Sequence, residues 1–382
     1  MKVLYVYKDY YPVVGGIENH IRLLCQGLKA HPHVEPTVLV TSRTGKTVIE
    51  EIDGVRVIKA ARLATISSAP VRLSLFAWLH RLEADVTHLH FPYPVGELAY
   101  LWAGRSRRLV ITYHSDIVRQ KYLLRVYEPF LRHLLARADV ITVSSPNYIQ
   151  SSPYLRPLAG KCVVIPHGTD LSRFVATQAV QRRAAEIRQH YAAPLLLFVG
   201  LLRYYKGLSF LIEAMPQIAA KLLIVGQGPQ GEEWQTLTRR LGLDDKVAFL
   251  GRVSEEELIA LYHAGDVFVL PSIHRSESWG AVQIEAMSCG KPVVCTELGT
   301  GTSFVNVDGV TGRVVPPRDA AALATAINAL LGDEAMRRAM GARARERAQQ
   351  EFSLETMVER VLAVYGEVLG TAQKLGSSRL SL

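Results

Sequence analysis

Cysteine is scarce in this sequence: there are 4 in 382 residues, and no two of them form a C-x-x-C pair. Each lies within an apolar stretch, at Cys25, Cys162, Cys289 and Cys295. This spacing excludes a disulfide-stapled scaffold and a cysteine-based zinc module. We therefore expect four small buried side chains in a reducing compartment.

Long apolar runs are also missing. The best candidate, residues 73–79, is short and is flanked by Arg72 and Arg81, whereas a helix needs about 20 apolar residues to span a bilayer. The first residues, MKVLYVYKDY, indicate a strand followed by Lys8 and Asp9 rather than a signal peptide. These features predict a cytoplasmic protein.

Acidic residues are in short supply in the first half of the chain. Residues 1–175 carry 22 Lys+Arg against 13 Asp+Glu, whereas residues 176–382 carry 22 of each. The whole net charge of +9 therefore lies in the first half, which predicts an anionic partner there. A membrane surface or a phosphate-bearing acceptor fits this charge. Nucleic acid fits less well, because no recognition-helix or RNP-like motif accompanies it.

Short β-rich runs alternate with helices, which predicts parallel sheets covered by helices on both faces. The predicted strands are residues 2–7, 38–41, 55–60, 86–89, 109–113, 140–144, 162–166, 195–199, 221–225, 247–250, 267–270 and 292–296. The predicted helices include residues 17–28, 180–191, 232–241, 255–263, 281–289 and 354–369.

The pattern restarts at residue 195, so two domains are expected. We predict an α/β fold of two doubly wound, Rossmann-like domains, residues 1–175 and 176–353, that face each other across a cleft. The last helix, about 354–370, packs back on the first domain. The tail from Thr371 is expected to be disordered.

Ligands of doubly wound sheets bind just beyond the carboxyl ends of the strands, and two motifs of the first domain follow strands. Gly15 and Gly16 open a helix whose N–H groups can bind a phosphate or sugar oxygen, although an ordinary turn fits equally well. His114 can bind a substrate or assist proton transfer, although a lone histidine is more often structural. Asp116 can cap the next helix.

Two cations follow the first strand of the second domain. Arg203 and Lys206 lie where a helix begins, and an arginine fork with a lysine point charge suits a diphosphate. A solvated basic turn is the alternative. The segment is not a P-loop, because the G-x-x-x-x-G-K-[ST] pattern is absent.

Glu277 and Glu285 are eight residues apart, too far round a helix to share one face. We therefore place Glu277 in a loop and Glu285 on a helix that begins near Gly280. Glu277 then faces a sugar, Glu285 accepts hydrogen bonds from ribose hydroxyls, and the N–H groups at Gly280 and Ala281 face a diphosphate. Ion-paired structural glutamates are the alternative.

Together these motifs resemble glycosyltransferase group 1, or family 4, of retaining nucleotide-sugar transferases with the GT-B fold. The resemblance covers nearly the whole chain. It also includes the segments IPHGTD at residues 165–170, VGQGP at 225–229, LGRVS at 250–254 and DVFVLPS at 266–272.

The resemblance implies a role for each matching position. Arg203 and Lys206 hold the donor diphosphate, and Glu277 and Glu285 contact the donor sugar and the ribose. Arg252 and Val253 lie beside the base. Gly15, Gly16 and His114 belong to the first domain's side of the site, and His114 and Glu277 are the predicted catalytic residues.

Two departures from the family pattern concern the donor. Leu201 stands where the family often has arginine, and Thr300-Gly301-Thr302 replaces a commoner Gly-Gly loop. No Asp-x-Asp occurs in the sequence, which fits metal-independent transfer with no cofactor besides the donor.

The segments LRYYKG at residues 202–207 and TELGTGT at 296–302 resemble group 1 transferases of bacterial O-antigen and capsule assembly. This resemblance implies a GDP-mannose-like or GDP-rhamnose-like donor, with a UDP-sugar less favoured, and a saccharide or polyprenyl-diphosphate-linked acceptor. The basic first domain predicts peripheral contact with the anionic cytoplasmic face of the inner membrane. The alternatives are a hydrolysing or epimerising enzyme, a glycogen-synthase-like polymerase, or an inactive nucleotide-sugar-binding subunit.

Overall fold

The computed structural model describes residues 1–13, 15–61, 64–66, 69–71, 73–117 and 121–371, without the side chains of 64–66, 69–71, 73 and 121–124. The chain divides into two compact units. The first unit is Met1–Gly168 together with the segment from Leu354 on, and the second unit is Thr169–Ser353. The division falls after residue 168, whereas the sequence pattern placed it after residue 175. The tail from Thr371 was predicted to be disordered. Its residues after Thr371 lie outside the part of the chain that the structure describes.

The first unit is built on an eight-stranded sheet in the order β10-β9-β8-β7-β1-β2-β4-β3, with a separate hairpin of β5 and β6. Its strands are β1 Lys2–Val6, β2 Glu35–Thr41, β3 Val48–Ile52, β4 Val55–Ala60, β5 Ala64–Ile66, β6 Ala69–Val71, β7 Val86–Phe91, β8 Arg108–Tyr113, β9 Val140–Val143 and β10 Cys162–Val164. Its first helices are α1 Gly16–Lys29, α2 Leu73–Arg81, α3 Pro94–Ala103, α4 Lys121–Arg137 and α5 Pro146–Ser151.

Every pair in the large sheet is parallel except β3 with β4. The sequence pattern missed β3, an exposed edge strand. The turn before β4 is made by Asp53 and Gly54, both with positive φ, 52° and 75°. That pair has the conformation of a tight hairpin turn, which fixes the antiparallel pairing.

The second unit has a six-stranded, all-parallel sheet in the order β13-β12-β11-β14-β15-β16. Its strands are β11 Leu195–Val199, β12 Lys221–Val225, β13 Val247–Gly251, β14 Val267–Leu270, β15 Val293–Thr296 and β16 Gly312–Val315. Its helices are α6 Gln178–Tyr191, α7 Leu208–Ala214, α8 Gly231–Arg240, α9 Glu255–Ala264, α10 Ala281–Ser288, α11 Thr302–Val305, α12 Ala320–Gly332 and α13 Glu334–Glu351.

Strand β11 shows why helices cover both faces of this sheet. Leu195, Leu197 and Val199 join one apolar cluster, and Leu196 and Phe198 join the other. Because successive strand side chains point to opposite faces, an uninterrupted apolar strand needs a helical layer on each side. The predicted doubly wound fold is confirmed.

The last helix, α14 Leu354–Leu369, belongs to the core of the first unit. It packs on α1, where a Cβ on Gly27 would collide with Val358 Cγ2. Its Tyr365 hydroxyl lies 2.5 Å from the Tyr5 hydroxyl of β1. The glycine therefore allows the close approach that joins the end of the chain to its beginning.

The four cysteines are free and buried, as predicted. Among the residues that the structure describes, no helix has the length and apolar character needed to cross a bilayer.

Candidate functional site

The loop after β11 carries the two predicted cations. The Lys206 side chain is 9% exposed, whereas Arg203 is exposed. The short 3-10 turn Tyr204–Lys206 leads to Gly207, whose φ is 63°. A Cβ on Gly207 would collide with the Pro271 carbonyl oxygen. This close approach seats Lys206 against the loop that follows β14.

Lys206 forms an ion pair with one of the two predicted glutamates. Its Nζ lies 2.5 Å from Glu277 Oε2, and Ser272 Oγ donates a hydrogen bond to the same oxygen at 3.1 Å. Thr300 Oγ1 donates to the Glu277 carbonyl oxygen at 2.8 Å. Burying charges is costly unless they are paired and hydrogen-bonded. The network therefore holds an opposite-charge pair at the carboxyl edge of the second sheet.

Glycines after β12 draw the next loop towards the same edge. Gly226, with φ of 133°, donates to the Gly251 carbonyl at 2.7 Å, and a Cβ on it would collide with the Gly200 carbonyl oxygen. A Cβ on Gly228 would lie 2.5 Å from the Leu202 carbonyl oxygen. Residues 226–231 have the G-x-G-x-x-G spacing. The first two glycines pack the loops after β11 and β12 together.

Helix α10 begins after Gly280, which has φ of 70°. Glu277 therefore lies in the loop before the helix and Glu285 lies within it, as predicted. Ala281 is exposed at the first helical position. Backbone N–H groups at a helix start lack partners in the helix and attract anions.

Glu285 is partly buried and accepts a hydrogen bond from the Tyr262 hydroxyl at 2.6 Å. Desolvation by burial raises the pKa of its carboxyl, and Tyr262 partly opposes that rise. Glu285 remains a hydrogen-bond acceptor whose carboxylate is poorly solvated. Tyr262 lies on α9, so no pattern within the E-x7-E motif could reveal this partner.

Arg252 and Val253 follow β13. Arg252 is exposed, whereas Val253 is half-buried and packs against the apolar cluster of the second unit. Arg252 is thus the one of these two whose side chain is open to a ligand.

Gly15 and Gly16 form the start of α1 in the first unit. Gly15 has extended backbone, with φ of −164°, and a Cβ on it would collide with the Glu18 carboxylate. A Cβ on Gly16 would meet no atom within 4 Å among the described residues. A Cβ on Gly15 would displace only the end of the flexible Glu18 side chain, and Gly16 leaves open space beside the helix start.

His114 directly follows β8 and is 3% exposed. Its Nε2 lies 2.9 Å from His90 Nδ1. The imidazole rings of His20, His88, His90, His114 and His167 form a continuous cluster with neighbouring centroids 4.3 to 5.6 Å apart. The sequence pattern predicted only His114. The alternation His88-x-His90 within one strand, which puts both rings on one face, was the missed signal.

Burial keeps this cluster uncharged. Desolvation lowers the pKa of His88 to about 3 and of His167 to about 4. It also holds the pKa values of His20, His90 and His114 well below 6.5, with further lowering from neighbouring histidines. The edge of the first sheet therefore presents neutral imidazoles at pH 7.

Asp116, the predicted helix cap, accepts hydrogen bonds from the Tyr113 hydroxyl at 2.7 Å and from Ser152 Oγ at 2.8 Å. These bonds tie the loop after β8 to the segment after α5. The helix that Asp116 was predicted to cap begins beyond residues 118–120, which lie outside the described part of the chain.

Two family profiles match the chain. The one described as Glycosyl transferases group 1 matches residues 183–347, and Glycosyltransferase Family 4 matches residues 14–173. The O-antigen chain mannosyltransferase C of Escherichia coli is 36% identical over 372 residues, covering 97% of this chain and 99% of that protein. The chain belongs to the group 1, family 4 glycosyltransferases. It is a glycosyltransferase enzyme, as the sequence motifs predicted.

Further relatives agree with this family. The D-rhamnosyltransferase WbpZ of Pseudomonas aeruginosa is 37% identical over 357 residues, covering 92% of each chain. Sucrose-phosphate synthase from Thermosynechococcus elongatus has a TM-score of 0.78 at 26% identity, covering 97% of this chain and 100% of that one. The Anabaena HepE structure in complex with UDP has a TM-score of 0.75 at 22% identity, with the same coverage. The predicted GT-B fold is confirmed.

Proposed function

We propose that this glycosyltransferase moves a mannose-like or rhamnose-like hexose from a GDP-sugar to a saccharide or polyprenyl-diphosphate-linked acceptor, with retention and without a metal. The pathway is O-antigen or related surface polysaccharide synthesis. The buried Lys206–Glu277 pair at the carboxyl edge of the second sheet carries the proposal. The names of the mannosyl- and rhamnosyltransferase relatives support the sugar class.

The second unit binds the donor in this proposal. Arg203 and Lys206 hold the diphosphate together with the backbone N–H groups at Gly280 and Ala281. Their positive charge replaces that of a divalent cation when the leaving group forms. Arg203 is exposed, so it can reach the diphosphate from solvent.

Two carboxylates recognise the sugar parts of the donor. Glu277 accepts hydrogen bonds from hydroxyls of the transferred hexose, and its pairing with Lys206 links sugar binding to diphosphate binding. Glu285 accepts hydrogen bonds from the ribose hydroxyls. Arg252 and Val253 lie beside the base, and the resemblance to O-antigen transferases favours guanine over uracil.

The transfer step needs no enzymatic nucleophile. The bond between the sugar C1 and the diphosphate oxygen breaks, and its electron pair stays on that oxygen, next to Lys206 and Arg203. The acceptor hydroxyl oxygen forms the new bond to C1 on the same face. Its proton passes to the departing phosphate oxygen. Because the new bond forms on the face that the diphosphate leaves, the anomeric configuration is retained. Glu277 stabilises the sugar and is not a nucleophile, which distinguishes it from the second carboxylate of retaining glycosidases.

The first unit binds the acceptor. The neutral His114 can donate or accept a hydrogen bond with an acceptor hydroxyl, and the open space at Gly16 admits a ligand beside the start of α1.

A peripheral contact with the anionic cytoplasmic face of the inner membrane completes the proposal. Large apolar side chains are exposed on two adjacent helices: Trp102 of α3 at 79%, and Val126 and Phe130 of α4 at 74% and 45%. Arg125 and Arg132 are exposed on the same α4. Apolar side chains among arginines suit a headgroup region, where each basic residue contributes about 1 kcal/mol.

The donor and the reaction are tested together. Purified chain is incubated with GDP-mannose, GDP-rhamnose or UDP-glucose, with and without a lipid-linked saccharide, and products are identified by mass spectrometry and anomeric NMR. We expect acceptor-dependent transfer from a GDP-sugar with retained configuration. Isomerisation or hydrolysis that proceeds equally without acceptor would instead identify the epimerising or hydrolysing enzyme.

The membrane contact is tested by flotation with vesicles containing anionic lipids at physiological salt. We expect the wild-type chain to float and the double variant Trp102→Ser/Val126→Ser to float several-fold less. Ile49→Ser, at a half-exposed position of strand β3, is the control and should float normally. Failure of the wild-type chain to bind would remove this part of the proposal.

A further inference from the structure

Three histidines of the cluster are grouped as metal ligands are. His20, His90 and His114 each offer a ring nitrogen, and the three nitrogens lie within 4.8 Å of one another. Among the described residues, no other group of three or more His, Cys, Asp or Glu side chains shares this property. The residues are 6%, 0% and 3% exposed.

The same three rings have unsatisfied nitrogens. Within the described part of the chain, His20 Nδ1, His90 Nε2 and His114 Nδ1 are buried without a hydrogen-bond partner. A buried polar atom without a partner is costly and uncommon.

His88, which stacks on His90, gives the contrast. Its Nδ1 lies 2.6 Å from the Tyr365 hydroxyl, and its Nε2 lies 2.6 Å from Thr112 Oγ1. Both nitrogens of His88 are therefore used for structure, whereas each of the three grouped rings has one nitrogen without a hydrogen-bond partner among the described residues.

The ligand chemistry is that of neutral imidazole. A neutral imidazole binds a cation through the ring nitrogen that carries no proton. The group contains no carboxylate, which argues against Mg²⁺ and Ca²⁺, whose preferred ligands are oxygen atoms. Imidazole ligands suit zinc, copper and nickel.

We propose that His20, His90 and His114 form a binding site for a borderline transition-metal cation such as Zn²⁺. Zinc binds histidine nitrogen at about 2.0 to 2.1 Å, so tetrahedral ligand nitrogens lie roughly 3.4 Å apart. The three ring nitrogens lie within 4.8 Å of one another, so they have to approach one another by up to about 1.4 Å. His90 Nδ1 and His114 Nε2 are hydrogen-bonded to each other at 2.9 Å, and a cation bound by these two nitrogens replaces that hydrogen bond. A water molecule supplies the fourth ligand.

Three separate elements supply the ligands. His20 lies on α1, His90 on β7, and His114 directly follows β8. A bound cation would therefore tie the first helix to two neighbouring strands. It would also occupy His114, and, if the proposed function is right, this makes the cation an inhibitor of transfer rather than a cofactor.

The test titrates the full, tag-free, chelator-treated chain with ZnCl₂ by calorimetry and with CoCl₂ by visible absorption. We expect one site per chain with Kd of about 10 μM or tighter, a tetrahedral Co²⁺ spectrum, and a higher thermal midpoint with Zn²⁺. No saturable binding below about 100 μM, or an octahedral spectrum only, would overturn the site.

Matched variants locate the site. His20→Gln should weaken Zn²⁺ binding at least about tenfold, whereas His31→Gln/His33→Gln, which removes two exposed histidines, should bind as wild type. Unchanged binding by His20→Gln, or its loss in the control, would overturn the assignment. If His20→Gln fails to fold by circular dichroism, the wild-type Co²⁺ spectrum and the control variant still decide.

Binding is measured without donor or acceptor, so its result is independent of the proposed function. A chain that binds Zn²⁺ but transfers no sugar from any GDP-sugar would keep the site and refute the function. If both the site and the function are right, stoichiometric Zn²⁺ should inhibit sugar transfer, and a chelator should reverse the inhibition. The His20→Gln variant should then need at least about tenfold more Zn²⁺ for the same inhibition.

Discussion

The two units are both doubly wound, but the carboxyl edges of their sheets differ in charge. In the second unit the edge holds a charged pair, Lys206 and Glu277, with exposed Arg203 nearby. In the first unit the corresponding edge holds histidines that burial keeps neutral. The contrast matches the two ligands that we propose: a doubly charged diphosphate in the second unit and an acceptor hydroxyl in the first.

The excess positive charge of the first unit does not lie at its candidate site. The whole excess of positive charge lies in residues 1–175, yet the buried edge of the first sheet is uncharged. The excess lies instead on exposed surfaces such as α4. The net charge of residues 1–175 therefore indicates a partner for the exposed surface of the first unit. It does not locate the candidate binding site, which has to be found from individual residues.

Removing the charge from the second unit's edge should have the largest effect. Lys206→Ala leaves Glu277 without its cation and removes a donor to the leaving group, so we expect kcat/KM to fall about 10²- to 10³-fold. Steady-state transfer from the donor is the measurement, and Lys221→Ala is the control. A fall of less than threefold in Lys206→Ala would contradict the role.

Weakening the ribose contact should have a smaller effect. Glu285→Gln replaces a carboxylate acceptor by a neutral amide, and loss of a charged hydrogen bond of about 1.5 to 3 kcal/mol corresponds to a roughly 10- to 100-fold higher KM for the donor. Glu346→Gln, at an exposed position of α13, should leave KM unchanged. An effect confined to kcat would argue against ribose binding.

Acid should separate the stabilities of the two units. The five histidines have lowered pKa values, so below pH 6.5 the unfolded chain binds protons that the folded first unit does not, and stability is lost as the pH falls. We expect the thermal midpoint of the metal-free first unit to drop by at least about 5 °C between pH 7 and pH 5. Hydrogen exchange, followed against temperature at each pH, gives the midpoint of each unit separately.

Glu97 provides the internal control for this acid effect. Burial raises its pKa to about 8, so its contribution has the opposite sign: it favours the folded state as the pH falls from 8 towards 4.5. Glu97→Gln should therefore steepen the acid loss, and His88→Gln should reduce it. Equal loss in both units would show that the histidines do not set the acid limit.

The fold was largely readable from the sequence because parallel strands buried on both faces are continuous apolar runs. Strands such as Val55–Ala60, Leu195–Val199 and Lys221–Val225 have the predicted bounds. Four strands were missed. β5 and β6 form the separate short hairpin, and the other two are edges of the large sheets: β3 is mostly exposed, and β16 Gly312–Val315 contains Arg313. Edge strands are half-solvated, so their composition approaches that of loops.

Residues of the candidate site could be predicted from the sequence only where they belong to a motif that follows a strand. Lys206 and Glu277 stood out by spacing, and the structure brings their side chains together. Ser272, Thr300 and Tyr262 are polar residues of ordinary loops and helices, and only the fold shows that they hold the two glutamates.

Adding charge to the second unit's edge should have the smallest effect. Leu201 is 58% exposed in the loop that carries Arg203. Leu201→Arg adds a further cation to this loop, and an exposed ionic contact of about 0.2 to 1 kcal/mol should lower the donor KM up to about fivefold. The gain should vanish at high salt. A gain independent of salt would point to packing instead.

Hydrogen exchange with and without GDP tests the central claim most directly, since it asks which unit holds the nucleotide. We expect slower exchange on GDP binding in the segments at residues 200–208 and 277–285 of the second unit, with the cluster around His90 and His114 unchanged. Protection confined to the first unit, or protection that persists undiminished in Lys206→Ala, would contradict it.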